Sequence, residues 1–488
     1  MLFGSLEFLF GFLPVTLLIY HWLRLAGRQR AAKLFLVAAS VFFYGWWNPI
    51  YVPLVLISVG ANFGLSVVME KRPLQARAIL ILGLVLNLAL LGYYKYANFF
   101  VSNLDHLTGL ELTVRKVLLP LGISFFTFQQ ITYLIEAYKD RKSADSLTDY
   151  ALFVLFFPHL IAGPITHHRE MLPQFKIAGR GPLPYSYLAV GAAVLIMGLA
   201  KKCVVADTLG TLADPVFHAA DHGQAIPSAI AWMGALAYTF RLYFDFSGYS
   251  DMAIGLGLLF GIRMPVNFAS PYKSRSITEF WRRWHITLSR FLRNYLYIPL
   301  GGNRKGPVRR YANLIITMAL GGLWHGAGWT FLAWGLLHGT YLMIHHMWQR
   351  LFPESPSRLR AVFGWAVTFL AVVVGWVLFK ATTFQGAVAV LHGMASPIGV
   401  QPDAQALIAP FTAWVAIAAA ATVAFLMPNV LEMVRYPEST PGLPIEADGL
   451  EPVRWRLPAP AAALGLGVMA AFVLVRLPDP GVFLYFNF

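Results

Sequence analysis

The sequence predicts an all-α, polytopic membrane protein of about eleven or twelve spans, with broken or re-entrant helices. Three observations carry that prediction. Of the 488 residues, 58% are hydrophobic and only 12% charged, and the mean hydropathy is +0.60, far outside the range of soluble globular chains. Apolar stretches of membrane length recur, and the basic residues between them fall in alternate loops, as the positive-inside rule requires. Finally, residues 311–349 contain no Asp, Glu, Lys or Arg, yet hold four histidines. Residues 1–488 read as a single transmembrane domain, with a basic cytoplasmic vestibule at 261–310 and the chemically distinctive membrane segment at 311–349.

The 38 Lys and Arg against 23 Asp and Glu give a formal charge of +15. In a soluble chain that excess would suggest nucleic acid; here the lipid bilayer is the partner it implies and nucleic acid is not needed. The lone Cys203 excludes an internal disulfide and a Cys-rich metal site, and leaves the redox compartment undecided. Residues 6–20 lack a basic n-region and a small-residue cleavage site, so they read as a retained helix.

A first span at about residues 5–23 leads to Arg24, Arg28, Arg30 and Lys33, which places the N-terminus outside and that loop in the cytoplasm. The second ends in the aromatic run Phe42 to Trp47, an outer-interface belt, and the third returns to Glu70-Lys71-Arg72. Residues 78–99 go out, a polar loop follows around Asn103 to Lys116, and 118–137 come back to Lys139-Asp140-Arg141-Lys142. Within that fifth span Ser124, Thr127, Gln129 and Gln130 must face other helices or a cavity.

Pro158, Gly163 and Pro164 interrupt helix at membrane depth and imply cavity-lining backbone. His167 and His168 beyond them read as interfacial, and two adjacent histidines do not have metal-ligand spacing. A span at about 183–200 ends at Lys201-Lys202-Cys203, expected at the cytoplasmic face. The next, from about 225, runs to Asp245 and Asp251; Asp251 suits the N-cap of a helix over 252–260, and Asp245 stays a candidate for substrate binding.

From Gly261 to Arg310 eleven basic residues face a single acid, Glu279. Apolar residues at 280, 281, 284, 288, 291 and 292 have the spacing of an amphipathic helix whose other side is basic. Such a helix either lies on anionic lipid or walls a vestibule that attracts a polyanion. In the vestibule reading Trp281, Arg282, Arg283, Trp284 and Asn294 are the substrate-binding candidates, joined by Trp324. Three more spans follow at about 361–379, 407–427 and 459–475.

His325 lies in the run Gly321-Gly322-Leu323-Trp324-His325-Gly326-Ala327-Gly328-Trp329. Residues 311–349 are too long for one span of ~20 residues, so they hold one broken or two successive segments, and the four glycines mark where helix is weakest. Counting from Arg310 at a rise of ~1.5 Å per residue puts His325 roughly 20 Å deep, near the middle of a ~30 Å hydrocarbon core. An ionisable side chain there is a functional candidate. The alternatives are a packing histidine bonded to a neighbouring helix, or the midplane group of a glycan or lipid transporter, which also uses broken helices. Against a transporter, no inverted repeat is recognisable and there is one deep titratable group rather than a relay.

The chain resembles the membrane-bound O-acyltransferase family, in particular its bacterial alginate O-acetylation branch, which it shares with the teichoic acid D-alanyl transfer proteins. The likeness rests on Phe8-Leu9-Phe10-Gly11-Phe12-Leu13-Pro14, Gly122 to Phe128, Phe157-Pro158 with Ala162-Gly163-Pro164-Ile165, Phe244 to Asp251, Phe280 to Ser289, and Gly322 to Ala327, in that order along nearly the whole chain. It implies that His325 is the buried catalytic histidine and His285 the second signature position. It also implies helices around a central tunnel, a cytosolic acyl-CoA donor, acetyl-CoA above all, and an exopolysaccharide acceptor outside, with a lipid or protein acceptor as the alternative. The partner it implies is a periplasmic or membrane-anchored acetyltransferase, in a bacterial inner membrane. No cofactor or metal is implied. The chain departs from that branch at His159, where Gln is more usual, and at His167-His168. The chemistry agrees: acyl transfer from a thioester needs a base for the acceptor hydroxyl, which an imidazole supplies near neutral pH, and guanidinium groups pair with the phosphates of coenzyme A.

Overall fold

The computed structural model describes residues 1–109, 117–177, 181–352, 357–396, 411–434, 459–477 and 483–484, and among them every regular element is helical. A π-helical turn, Glu7–Phe12, runs into α1 (Leu13–Leu25), which turns back at Gly27 (φ 72°) into α2 (Gln29–Gly45). Then come α3 (Val52–Lys71) and α4 (Ala76–Leu91). This last helix continues through a π-helical turn, Gly92–Tyr96, into α5 (Ala97–Thr108). The polar loop expected from Asn103 therefore starts only at Gly109, and its residues 110–116 lie outside the described ones.

Next, α6 (Ile123–Asp140) is the most enclosed of the early helices. It starts at Gly122 (φ 70°), where a Cβ would stand 2.7 Å from the Leu160 carbonyl oxygen, so only glycine permits that approach. Its polar side chains turn to neighbouring elements as expected: Gln130 Nε2 donates to Ser58 Oγ at 3.0 Å and Gln129 Nε2 to Thr166 Oγ1 at 3.2 Å. The short helices α7 (Leu147–Leu155) and α8 (Phe157–Leu160) lead into buried, non-helical backbone at 161–167, followed by α9 (His168–Ile177).

The centre is a pair of long helical stretches. One is α10 (Tyr185–Leu199), a π-helical segment Ala200–Ala206 and α11 (Asp207–Asp221), 37 residues without interruption. The other is α12 (Ser228–Leu259), 32 residues long. Glycines set their distance, since a Cβ at Gly198 would stand 2.8 Å from the Gly248 carbonyl oxygen. Two expectations are corrected here. Helix does not end at Lys201-Lys202-Cys203, because Lys201 meets Asp251 at 2.6 Å and Lys202 pairs with Asp207 and, at 3.1 Å, with Asp245. Charges neutralised inside the protein need not mark a membrane boundary. Nor does Asp251 cap a helix, for it lies within α12.

Helices α13 (Ile277–Arg283) and α14 (Ile286–Leu292) and a π-helical turn, Arg293–Tyr297, precede α15 (Gly306–His325) and α16 (Trp329–Leu351). Then follow α17 (Arg358–Lys380), α18 (Phe384–Ala395), α19 (Phe411–Leu426), α20 (Val430–Met433) and α21 (Ala459–Arg476). Residues 407–410 of the span expected at 407–427 lie outside the described residues. Among the described residues, five helical stretches are long and apolar enough to cross a membrane: Glu7–Leu25, Pro49–Lys71, Ala76–Thr108, Tyr185–Asp221 and Arg358–Lys380. Their outward residues, such as Leu18 and Ile57, are exposed hydrophobics, as lipid contact requires. The protein is a multi-pass membrane protein.

Candidate active site

Glycines bring α15 and α16 together. A Cβ at Gly322 would lie 2.3 Å from the Phe331 carbonyl oxygen, and one at Gly335 2.3 Å from that of Met318. Gly321 and Gly322 are thus helical packing positions, while the break falls at Gly326–Gly328. Gly326 is extended (φ −158°), which any residue tolerates; space requires glycine there, since a Cβ would stand 2.2 Å from Phe331 Cε2.

His325 is the last residue of α15 and is buried. Its ring centroid lies 4.9 Å from that of Trp324 and 5.2 Å from those of Trp334 and Phe379. The His285 ring is 6.3 Å away. The single amphipathic helix expected over 280–292 is in fact two, because His285 takes a left-handed conformation (φ 43°, ψ 53°) between α13 and α14. That kink takes His285 off the membrane boundary and into the protein. Asn267 supports it: its backbone carbonyl accepts from Ile286 N at 3.0 Å, and its Oδ1 accepts from Thr287 Oγ1 at 2.9 Å and lies 3.1 Å from His285 Nδ1. Since Oδ1 only accepts, Nδ1 carries the hydrogen and Nε2 holds the lone pair in the neutral ring.

Two cavities lie nearby. One, of about 70 Å³, is lined by His325 and Trp324 with Trp47, Lys95, Ser124 and Phe125 among others. The second is a chamber of about 1140 Å³ whose walls include Trp281, Arg282, Arg283, Arg290, Arg293 and Arg310. Ile286, next to His285, also lines that chamber.

The sequence candidates divide accordingly. Trp281, Arg282 and Arg283 line the chamber. Arg283 also pairs with Glu279 at 3.0 Å and donates to the Ala269 carbonyl at 3.2 Å, whereas Arg282 forms no ion pair among the described residues. Trp324 lines the small pocket and stacks on Phe128 at 5.2 Å. Trp284 lines neither cavity: it is buried against Phe280 and Trp376, at 5.6 and 4.9 Å. Asp245 also lies outside both, held by Lys202 and by the Leu484 amide at 3.1 Å. Asn294 is spent on Arg293, whose Nε donates to its Oδ1 at 3.2 Å.

Sequence reasoning passed over Asn267, Trp334, Phe379, Lys95 and Glu136, a carboxylate that Tyr295 bonds and that His167 and His168, expected at the interface, meet at 3.2 and 2.6 Å. Of these Lys95 and Glu136 had a signal, each as a single charge inside an apolar span.

A buried histidine at a helix break, in the wall of a small pocket and 6.3 Å from a second histidine whose neighbour Ile286 lines a basic chamber, suits transfer of a group between two substrates. Comparison with known proteins names the class, for the model of the membrane-bound O-acyltransferase family matches residues 74–385. The chain belongs to that family. It is 44% identical over 428 residues to the peptidoglycan O-acetyltransferase of Helicobacter pylori, covering 82% of this chain and 81% of that protein. It is 42% identical over 504 residues to the probable alginate O-acetylase of Pseudomonas putida, covering all of both. The teichoic acid D-alanyltransferase of Streptococcus thermophilus is 30% identical over 282 residues, 53% of this chain and 68% of that protein. O-acyl transfer is thus the class of reaction to which the chain belongs, and a transporter reading falls away.

Proposed function

We propose that the protein moves an acetyl group from cytosolic acetyl-CoA toward a hydroxyl of an extracytoplasmic polysaccharide, directly or through a periplasmic or membrane-anchored acetyltransferase. One observation carries the proposal: His325 stands in the wall of the small pocket, with its second histidine neighbour beside a large arginine-lined chamber. The chamber suits the phosphates and adenine of a coenzyme A donor, because guanidinium pairs with phosphate and stacks on aromatic rings. The small pocket suits an approaching hydroxyl. Relatives that acetylate peptidoglycan and alginate support acetyl as the group and a polysaccharide as acceptor. The setting is a bacterial inner membrane with the N-terminus outside and the arginine chamber in the cytoplasm, where positive loops belong.

In this mechanism His325 takes the proton of the acceptor hydroxyl as its oxygen attacks the thioester carbonyl. The C–S bond of the tetrahedral intermediate then breaks, and the coenzyme A thiolate takes up the proton that the imidazole releases. The products are an ester and a free thiol. His285, held by Asn267 with its Nε2 lone pair turned from that contact, positions the reacting groups. It does not replace the base.

The test is to follow labelled acetyl from acetyl-CoA in purified His325→Ala and His285→Asn. His325→Ala should lose at least the ~10²-fold typical of general-base catalysis while donor binding and thermal stability persist. His285→Asn should lose less, since the amide keeps a hydrogen-bonding group. A folded His325→Ala protein with near wild-type transfer would remove His325 from the chemistry.

A further inference from the structure

Three consecutive carbonyls at the C-terminal end of α15 are held by two adjacent side chains of the π-helical turn Gly92–Tyr96. Tyr96 Oη donates to Leu323 O at 2.7 Å. Lys95 Nζ donates to Trp324 O and, at 3.3 Å, to His325 O, and its remaining proton goes to Ser124 Oγ at 3.2 Å. The last carbonyls of a helix lack intrahelical partners and carry the negative end of its dipole, so an ammonium group is favoured there. The π-helical turn is itself a local departure from α geometry of the kind found at functional sites.

Lys95 lines the small pocket, so it invites assignment as a ligand for an anionic acceptor. Its valence argues otherwise: an ammonium has three N–H donors, and all three are committed to the protein. We propose that Lys95 and Tyr96 are positioning residues that clamp the end of α15 and thereby set the His325 ring toward the small pocket. This rests on the reading of His325 as the base. A clamp is needed at this point because the backbone beyond His325 is extended at Gly326 and Gly328 (φ −158° and −160°), and so gives the end of the helix no continuation to stiffen it.

The test compares Lys95→Met and the isosteric Tyr96→Phe with wild type and His325→Ala. Turnover is expressed per donor-binding site, counted with a non-hydrolysable acetyl-CoA analogue, so that misfolded protein drops out. The clamp predicts that Lys95→Met lowers kcat by about tenfold or more through misplacement of the base, that Tyr96→Phe lowers it less, and that both keep KM for acetyl-CoA within about twofold. If Lys95→Met does not fold, Tyr96→Phe decides alone: kcat per site must fall with KM unchanged. Unchanged kcat per site in the folded variants, or a loss confined to KM, overturns the proposal. Normal turnover by His325→Ala would instead refute the base assignment, whatever the clamp variants do.

Discussion

Gly322→Ala tests how tightly the packing of α15 on α16 is coupled to the site. The new methyl carbon would lie 2.3 Å from the Phe331 carbonyl oxygen, whereas ordinary contact starts at 3.4 Å, so the two helices must part by about 1.1 Å. Backbone on both sides of the contact cannot rotate away as a flexible side chain would. Overpacking of this kind costs ~1–3 kcal/mol, against which Ala in place of Gly returns up to ~1 kcal/mol of helix propensity. The net is a destabilisation of roughly 0–3 kcal/mol, small enough for the variant to fold. Catalysis should suffer far more, because Gly322 is one turn before His325 on the same helix, and a displacement of ~1 Å at a reacting group costs on the order of 10²-fold. Thermal unfolding in detergent and acetyl transfer per folded molecule would be measured together. Gly64→Ala on α3 is the control: nothing lies within 4 Å of its added Cβ, so its turnover should be that of wild type and its stability equal or higher. Wild-type turnover by Gly322→Ala would refute the argument that this contact sets the position of His325, and so would a loss no larger than the unfolded fraction.

Replacing Arg282 and Arg283 by Gln should raise KM for acetyl-CoA, less so at high salt where screening already weakens attraction. Arg282 should account for most of the effect, since Arg283 is already engaged by Glu279 and Ala269; reduced membrane abundance with unchanged KM would point to lipid anchoring instead. Lys202→Met should destabilise the protein by ~3–5 kcal/mol in thermal or denaturant unfolding, because it strands the buried Asp245 carboxylate, and Asp245→Asn in the same chain should recover part of the loss. An unaltered melting profile for Lys202→Met would contradict the structural role given to that pair.

The all-α class was legible because solvent decides it: a chain this apolar must satisfy its backbone within each span, whatever its tertiary contacts. The helix break after His325 was legible for a related reason. Glycine-rich sequence in a charge-free segment marks a weak point of helix without reference to any other part of the chain, and the break after His325 falls there. Where charge alone set the inference, partners overrode it. Lys201 and Lys202 looked like a membrane edge until Asp251, Asp207 and Asp245 were seen to neutralise them inside continuous helix. Asp245 looked available to a substrate for the same reason, its lysine lying more than forty residues away in sequence.

The relation between the two histidines shows the limit most directly. Counting along the chain put His325 deep, whereas the basic amphipathic segment that holds His285 was expected on anionic lipid or on a vestibule wall, yet their rings lie 6.3 Å apart. No periodicity over 280–292 reveals that approach, because it depends on Trp284 (φ −99°, ψ 128°) and His285 both leaving the helical conformation. His285 does so at φ 43°, a region that costs a non-glycine residue on the order of 1–3 kcal/mol unless the surroundings enforce it. Asn267 supplies the enforcement through its backbone carbonyl and its side chain together. The apolar rings of α13 then pack inward while its arginines remain on the chamber wall. A segment patterned like an interfacial helix thereby delivers its histidine to the site and its cations to the chamber, and the same kink accounts for both.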